Sequence, residues 1–215
     1  RNTHFSYRIG ENGVETFVTT PEIHSESTIT EDPLPPGQVW AINAGGSEEH
    51  CGLYRIEVNS GPGTGVKILN RPVPPQFQES VRYAEQNLYS KCKELIGDRD
   101  PRSHEFSVQL RAFDASKSGN GTGMAVLMAM CSSILKKNTK GGLVIVGQLN
   151  LGGSLDMVYG AVNIAEIAIE KGATTLLIPL NARKQLNELS DDMITKINIQ
   201  YYSDLRDCVV KTWME

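Results

Sequence analysis

Gly119, Gly121 and Gly123 crowd into five residues of the segment Lys117-Ser118-Gly119-Asn120-Gly121-Thr122-Gly123. Glycines so spaced permit positive φ angles and close approach of backbone to a ligand. A helical pattern follows at once, with Met124, Leu127, Met128, Cys131, Ile134 and Leu135 on its apolar face. The free N–H groups of that helix start face the loop, which favours an anion or a developing oxyanion. A nucleophile would sit there if the chain used one. No Gly-Lys-Ser/Thr follows the glycines, so this is not a P-loop. The plainer reading of a bare Gly-rich loop, a tight strand-to-helix turn, is the favoured one.

The polar residues around the loop divide in the same way. Thr122 reads first as a capping or packing residue and second as a nucleophile. Ser118 is the other hydroxyl within reach of that role. Lys117 could meet an anion, but a solvated lysine is the simpler account. Glu166, in a later helical pattern, could act as a general base, but without a partner carboxylate it reads first as solvated. Lys136, Lys137 and Lys140 make a small basic cluster suited to a solubilising loop. The seven residues Lys117, Ser118, Gly119, Asn120, Gly121, Thr122 and Gly123 stand together as the candidate anion-binding loop.

Metal chemistry is not expected. His4, His24, His50 and His104 are scattered, and Cys51, Cys92, Cys131 and Cys208 show no ligand spacing. Cys92 and Cys131 fall in apolar helical patterns and read as small core residues. A disulfide scaffold is not expected of so few cysteines in a chain of 215 residues.

The elements that must position the loop follow from periodicity. Residues 1–36 are polar and close on Asp32-Pro33-Leu34-Pro35-Pro36, the composition of an arm or linker from a preceding domain. Phe17-Val18-Thr19-Thr20 is a candidate short strand within it. From Gly37, alternation predicts strands at 38–42 and 52–58, with a third at 66–69 completing an antiparallel meander. Turn chemistry lies between them, at Asn43-Ala44-Gly45-Gly46-Ser47 and at 61–65. Phe77, Val81, Ala84, Leu88, Cys92 and Leu95 form one stripe on a helix of about five turns, ended near Gly97. Residues 105–110 alternate as a strand before the Gly-rich loop. Leu143-Val144-Ile145-Val146 is a continuous apolar run, expected to be buried on both faces. Ala161, Ile164, Ala165, Ala168 and Ile169 mark another helix, followed by a strand at 174–179. A short helix at 182–189, a strand at 197–201 and a closing helix at 203–213 complete the chain. The expected class is α+β, with an α/β-like second half and a mixed sheet packed with helices.

Composition sets the outer limits. The chain carries 21 Lys+Arg against 25 Asp+Glu, a net charge of -4, which argues against a dedicated nucleic-acid binder. No apolar run reaches the roughly 18 residues of a membrane span. The chain starts at Arg1 without the apolar core of a signal peptide, and it reads as a fragment of a longer polypeptide of cytoplasmic location.

From about Gly37 onward the sequence resembles the proteolytic domain of the Lon family. Three matches carry this: the loop 117–123; Val146-Gly147-Gln148-Leu149-Asn150-Leu151-Gly152-Gly153; and Gly172-Ala173-Thr174-Thr175-Leu176-Leu177-Ile178-Pro179. The family has Lys-Asp-Gly-Pro-Ser-Ala-Gly, then Gly-Glu-(Ile/Val)-Thr-Leu-Arg-Gly, then Gly-(Ile/Ala)-x-x-(Val/Ile)-(Leu/Ile)-(Ile/Leu)-Pro. The correspondence runs without a gap from Lys117 through Pro179. Pro33-Leu34-Pro35-Pro36-Gly37-Gln38-Val39-Trp40 and the variant Asn120-Gly121-Thr122 resemble one branch in particular, the Lon-related AAA+ subunit of bacterial BREX phage-defence systems.

The resemblance implies a 37–215 Lon-protease-like domain and a Ser-Lys dyad in which the lysine amine takes the serine proton. Carried over, the serine position falls on Gly121 and the lysine position on Ile164, and neither residue can serve. A shift by one residue offers Thr122 but no lysine, since none lies between Lys140 and Lys171. The leading expectation is therefore a non-catalytic Lon-like C-terminal domain of an AAA+ ATPase in a phage-defence machine. It would join a self-assembled ring, expected to be a hexamer, with DNA contact possible for the full-length protein. No cofactor is expected in this fragment; ATP and Mg would belong to the missing ATPase portion. Two other readings are a working peptidase that uses Thr122 or Ser118, and an anion- or phosphate-binding module at the Gly-rich loop.

Overall fold

A computed structural model describes residues 28–44, 51–114 and 117–213 in full, and the backbone of 5–9 and 15–19. Strands β1 (Phe5–Ile9) and β2 (Glu15–Thr19) pair antiparallel as a separate two-stranded sheet. The candidate strand in this segment is thus β2, while Thr20 lies outside the described residues. The last part of the presumed arm is docked: Ile29 is buried, its N–H donates to Lys171 O at 3.0 Å, and Leu34 bridges to Thr139.

The main sheet has seven strands: β3 (Gln38–Ile42), β4 (Leu53–Pro62), β5 (Gly65–Ile68), β6 (His104–Ala112), β7 (Leu143–Ile145), β8 (Thr175–Pro179) and β9 (Asn198–Tyr202). Their spatial order is β5-β6-β4-β3-β7-β8-β9. The expected meander is corrected here. β3 and β4 are antiparallel neighbours, but β6 takes the open edge of β4, and β5 lies beyond β6 and parallel to it. Glu105 of β6 faces Gly61 on one side and Gly65 on the other, so β6 is threaded between the two arms of the 61–65 turn. Local alternation marks strands but carries no record of a partner forty residues away. From β3 through β9 all pairings are parallel.

Alternation then sorts side chains to two cores. Val39, Ala41, Leu143 and Ile145 face α1 (Pro75–Ser90), α3 (Gly123–Leu135) and α7 (Leu205–Thr212); Trp40, Ile42, Val144 and Val146 face α4 (Ala161–Glu170). Both faces of β7 are buried, as its apolar run predicts. Helix α3 is more deeply placed than a single stripe implies: Gly123 through Ile134 are all buried, between the sheet, α1 and α7. The predicted five-turn helix is two helices, α1 and α2 (Cys92–Ile96), broken at Lys91 (φ -121°). The break falls where Asn87 and Lys91 reach the 150–153 turn, through Asn150 O at 3.0 Å and Gly152 O at 3.4 Å. After β8 come α5 (Arg183–Leu186) and α6 (Asp191–Ile194). The sequence reading missed α6, although Ser190 caps it through the N–H of Met193 and two aspartates fill its first turn.

An ion pair ties the layers together next to the Gly-rich loop. Asp114 Oδ1 meets Lys171 Nζ at 2.8 Å, and Oδ2 accepts the Leu53 N–H at 2.7 Å. Burial works against the Asp114 charge, but the Lys171 hydrogen bond, the Leu53 N–H and the Lys171 charge outweigh it and hold the carboxyl below its ordinary value. A lowered folded pKa contributes stability above the unfolded value, near pH 4, and loses it as pH falls through the folded value. Asp114→Asn should therefore cost about 1 kcal/mol near neutral pH, and the gap from the parent should close on acidification below about pH 4. Denaturant melts at several pH values check this; a gap that widens on acidification would contradict it.

Candidate functional site

The Gly-rich loop carries the chain from β6 into α3, and each part of it is held by a different neighbour. Lys117 is exposed, and Ser118 Oγ accepts the Asn120 N–H at 3.3 Å. Gly119 and Gly121 both adopt left-handed backbone, with φ of 64° and 65°. At Gly121 the restriction is double. A Cβ there would stand 2.7 Å from Ala44 O and 3.1 Å from Ala44 N, at the end of β3. The backbone conformation disfavours any side chain, and the Ala44 main chain, just beyond β3, fills the space one would need.

The helix start is already engaged. Gly123 N–H donates to Gln148 Oε1 at 2.8 Å, and Met124 N–H to Gly147 O at 3.2 Å. Gln148 in turn donates through Nε2 to Ser80 Oγ at 3.2 Å. Two of the donors that an incoming anion would use thus have partners within the fold. Thr122 is 1% exposed and donates its hydroxyl to Gly119 O at 2.7 Å. Its side chain does not cap α3; it packs and closes the loop on itself. Of the two roles weighed for Thr122 in the favoured reading, packing is the one adopted.

Ile164 lies on α4, fully buried among Val144, Val146, Val158 and Ile178. Gln185 fixes the start of that helix by accepting the Ala161 N–H at 3.0 Å and donating to Val158 O at 2.6 Å. Glu166, on the same helix, is exposed. Ile164 thus belongs to the apolar core on the α4 side of the sheet.

Beside Gly121 opens a cleft of about 500 Å³. Ala44, Asn120, Gly121, Gln148 and Asn150 form one part of its lining; Glu79, Tyr83, Asp156, Met157 and Tyr159 form the rest. Tyr83 donates its hydroxyl to Glu79 Oε1 at 2.7 Å, and that hydrogen bond and the Glu79 charge push its phenol above the ordinary value. Burial, followed by the Glu79 charge, raises the Asp156 carboxyl. No Lys, Arg or His is among the described residues of the lining. Glu79 and Asp156 in this lining work against binding of an anion there. Lys117 is not part of the lining, and Ser118 is not either.

Of the candidate anion-binding loop, Asn120 and Gly121 line this cleft; Glu79, Tyr83, Asp156, Met157 and Tyr159 were not singled out from the sequence. The two carboxylates come from α1 and from the 150–160 loop, and no spacing in the sequence links them. Met157 and Tyr159, large apolar residues in a Gly-containing loop, were the one available signal. Among the described residues no three His, Cys, Asp or Glu gather as a metal would require; His4, His24 and His50 lie outside them. None of the four cysteines is in a disulfide. No helix among the described residues is long and apolar enough to cross a membrane.

Comparison with known proteins places this geometry in context. The profile of the Lon protease (S16) C-terminal proteolytic domain matches residues 8–215. A Lon-like protease BrxL from Escherichia coli O9:H4 (strain HS) is 25% identical over 211 residues, covering 98% of this chain and 30% of that protein. A Lon-like protease BrxL from Bacillus cereus (strain H3081.97) is 24% identical over 213 residues, with 98% and 31% covered. A Lon protease from Lawsonia intracellularis (strain PHE/MN1-00) is 25% identical over 213 residues, with 97% and 25% covered. The chain thus spans less than a third of the length of these relatives.

Proposed function

The chain belongs to the family of Lon protease (S16) C-terminal proteolytic domains, and we propose that it has given up peptide hydrolysis and acts as a ring-forming domain of a larger AAA+ ATPase in phage defence. The observation that carries the first half is the pair at the dyad positions. Gly121 stands in left-handed backbone against Ala44, and Ile164 is fully buried in apolar surroundings. The similarity to BrxL proteins supports the second half. In this reading ATP and Mg are bound by another part of the longer protein, assembly is hexameric, and the complex works in the cytoplasm. Any DNA contact rests mainly with the full-length protein, since an acidic domain of net charge -4 binds DNA weakly and in a salt-sensitive way.

The alternative nucleophile Thr122 is less favourable, because its hydroxyl is buried and committed to Gly119 O. The full-length protein, incubated with casein with and without ATP, should release no peptides, and a serine-directed covalent inhibitor should leave its mass unchanged. Cleavage that disappears in Thr122→Ala would overturn the reading and restore the peptidase.

A further inference from the structure

The two ends of α3 carry opposite, unmatched surfaces. At its N-terminal end, the cleft beside Gly121 has Glu79 and Asp156 in its wall, with Met157 and Tyr159 exposed by 56% and 60%. Neither carboxylate is ion-paired among the described residues. At its C-terminal end lies a groove of about 390 Å³ lined by Leu95, Leu135, Val209, Val210 and Trp213, with Lys137 and Arg206 in the wall. Val210 is 60% exposed. Arg206 donates to the Glu94 main-chain carbonyl, and among the described residues neither cation is paired with a carboxylate. Thirteen helical residues separate the two surfaces by about 20 Å.

We propose that these surfaces are the two halves of one head-to-tail contact, in which the acidic, aromatic cleft of one copy receives the basic, apolar groove of the next. This rests on the ring reading above and names the faces that make the ring. Each surface couples exposed apolar area to charges of one sign that form no ion pair among the described residues, and the signs are opposite. A copy of the same chain supplies both complements at once. A contact between opposite ends of the molecule is heterologous, and it repeats until the rotation closes it into a ring. Desolvating apolar side chains supplies the affinity, while the charge pairs fix orientation and speed encounter.

Charge reversal in the full-length protein tests this by sedimentation. Glu79→Lys/Asp156→Lys makes both faces basic, and Lys137→Glu/Arg206→Glu makes both acidic. Each variant alone should assemble at least tenfold more weakly than the parent. Mixed in equal amounts, they should reassemble, because every contact is again between opposite signs. Tyr159→Ser, at an exposed side chain outside both cores, removes apolar contact without changing charge and should weaken assembly while leaving the melting temperature unchanged. If the parent forms a ring and all three variants form it equally well, the contact lies elsewhere and the ring reading stands alone. If the parent itself does not assemble with ATP present, the ring reading and this contact fall together.

Discussion

Restoring the family's dyad with Gly121→Ser and Ile164→Lys should lower the melting temperature by roughly 10 °C or more and yield no peptide cleavage. The serine must adopt left-handed backbone, a cost of about 1–2 kcal/mol before any contact is counted. Its Cβ then meets Ala44 O at 2.7 Å, a main-chain atom that cannot rotate away. The lysine enters a site that is fully buried among aliphatic side chains. An unpaired buried ammonium costs about 3–5 kcal/mol, or it is expelled by opening the α4 core. At about 2–4 °C per kcal/mol for a domain of this size, the sum far exceeds experimental error. Activity would also need polar neighbours placed to hold the amine. Gly121→Ala separates the backbone cost from the charge. A double variant that melts with the parent would show that both sites are more accommodating than their geometry indicates.

Much of this architecture is written locally, and the unreadable parts share one cause. Strands β3, β7 and β8, and helices α3 and α4, fall close to where alternation and helical spacing put them, since each has a periodic apolar pattern bounded by turn residues. The position of β5 beyond β6 was not legible, because pairing choice depends on a strand forty residues later. The break at Lys91 was hidden by an apolar stripe that continues through it to Leu95; it coincides with the 150–153 turn, to which Asn87 and Lys91 are tied. Likewise, aligned motifs identify Gly121 and Ile164 as the positions of interest, but the obstruction at Gly121 comes from Ala44, across the sheet. The cleft was the least legible feature. Its carboxylates, Glu79 and Asp156, look like ordinary solvated residues until folding brings α1 against the 150–160 loop.

Phe77→Ala should destabilise the domain by about 3–5 kcal/mol and lower its melting temperature by about 6–20 °C. Phe77 is the first residue of the α1 stripe and is fully buried where α1 packs on α3. Its ring also lies under the Gly-rich loop: a Cβ at Gly119 would fall 3.0 Å from Phe77 Cβ and 3.1 Å from its Cδ2. Truncation therefore loses aromatic burial and leaves a void beneath a loop that runs close to the Ala44 main chain and is tied at its end to Gln148. Those restraints prevent the loop from settling into the void, which places the cost in the upper part of the range for such changes. Phe77→Leu keeps most of the volume and should cost less than about 1.5 kcal/mol. Thermal melts of the two variants check the comparison. Equal losses would mean the void is not what matters; a negligible loss in Phe77→Ala would mean the loop does collapse. The expected inequality ties the loop to α1: its glycines allow the chain to lie directly on a core aromatic, and that packing gives the Gly-rich segment a structural purpose independent of catalysis.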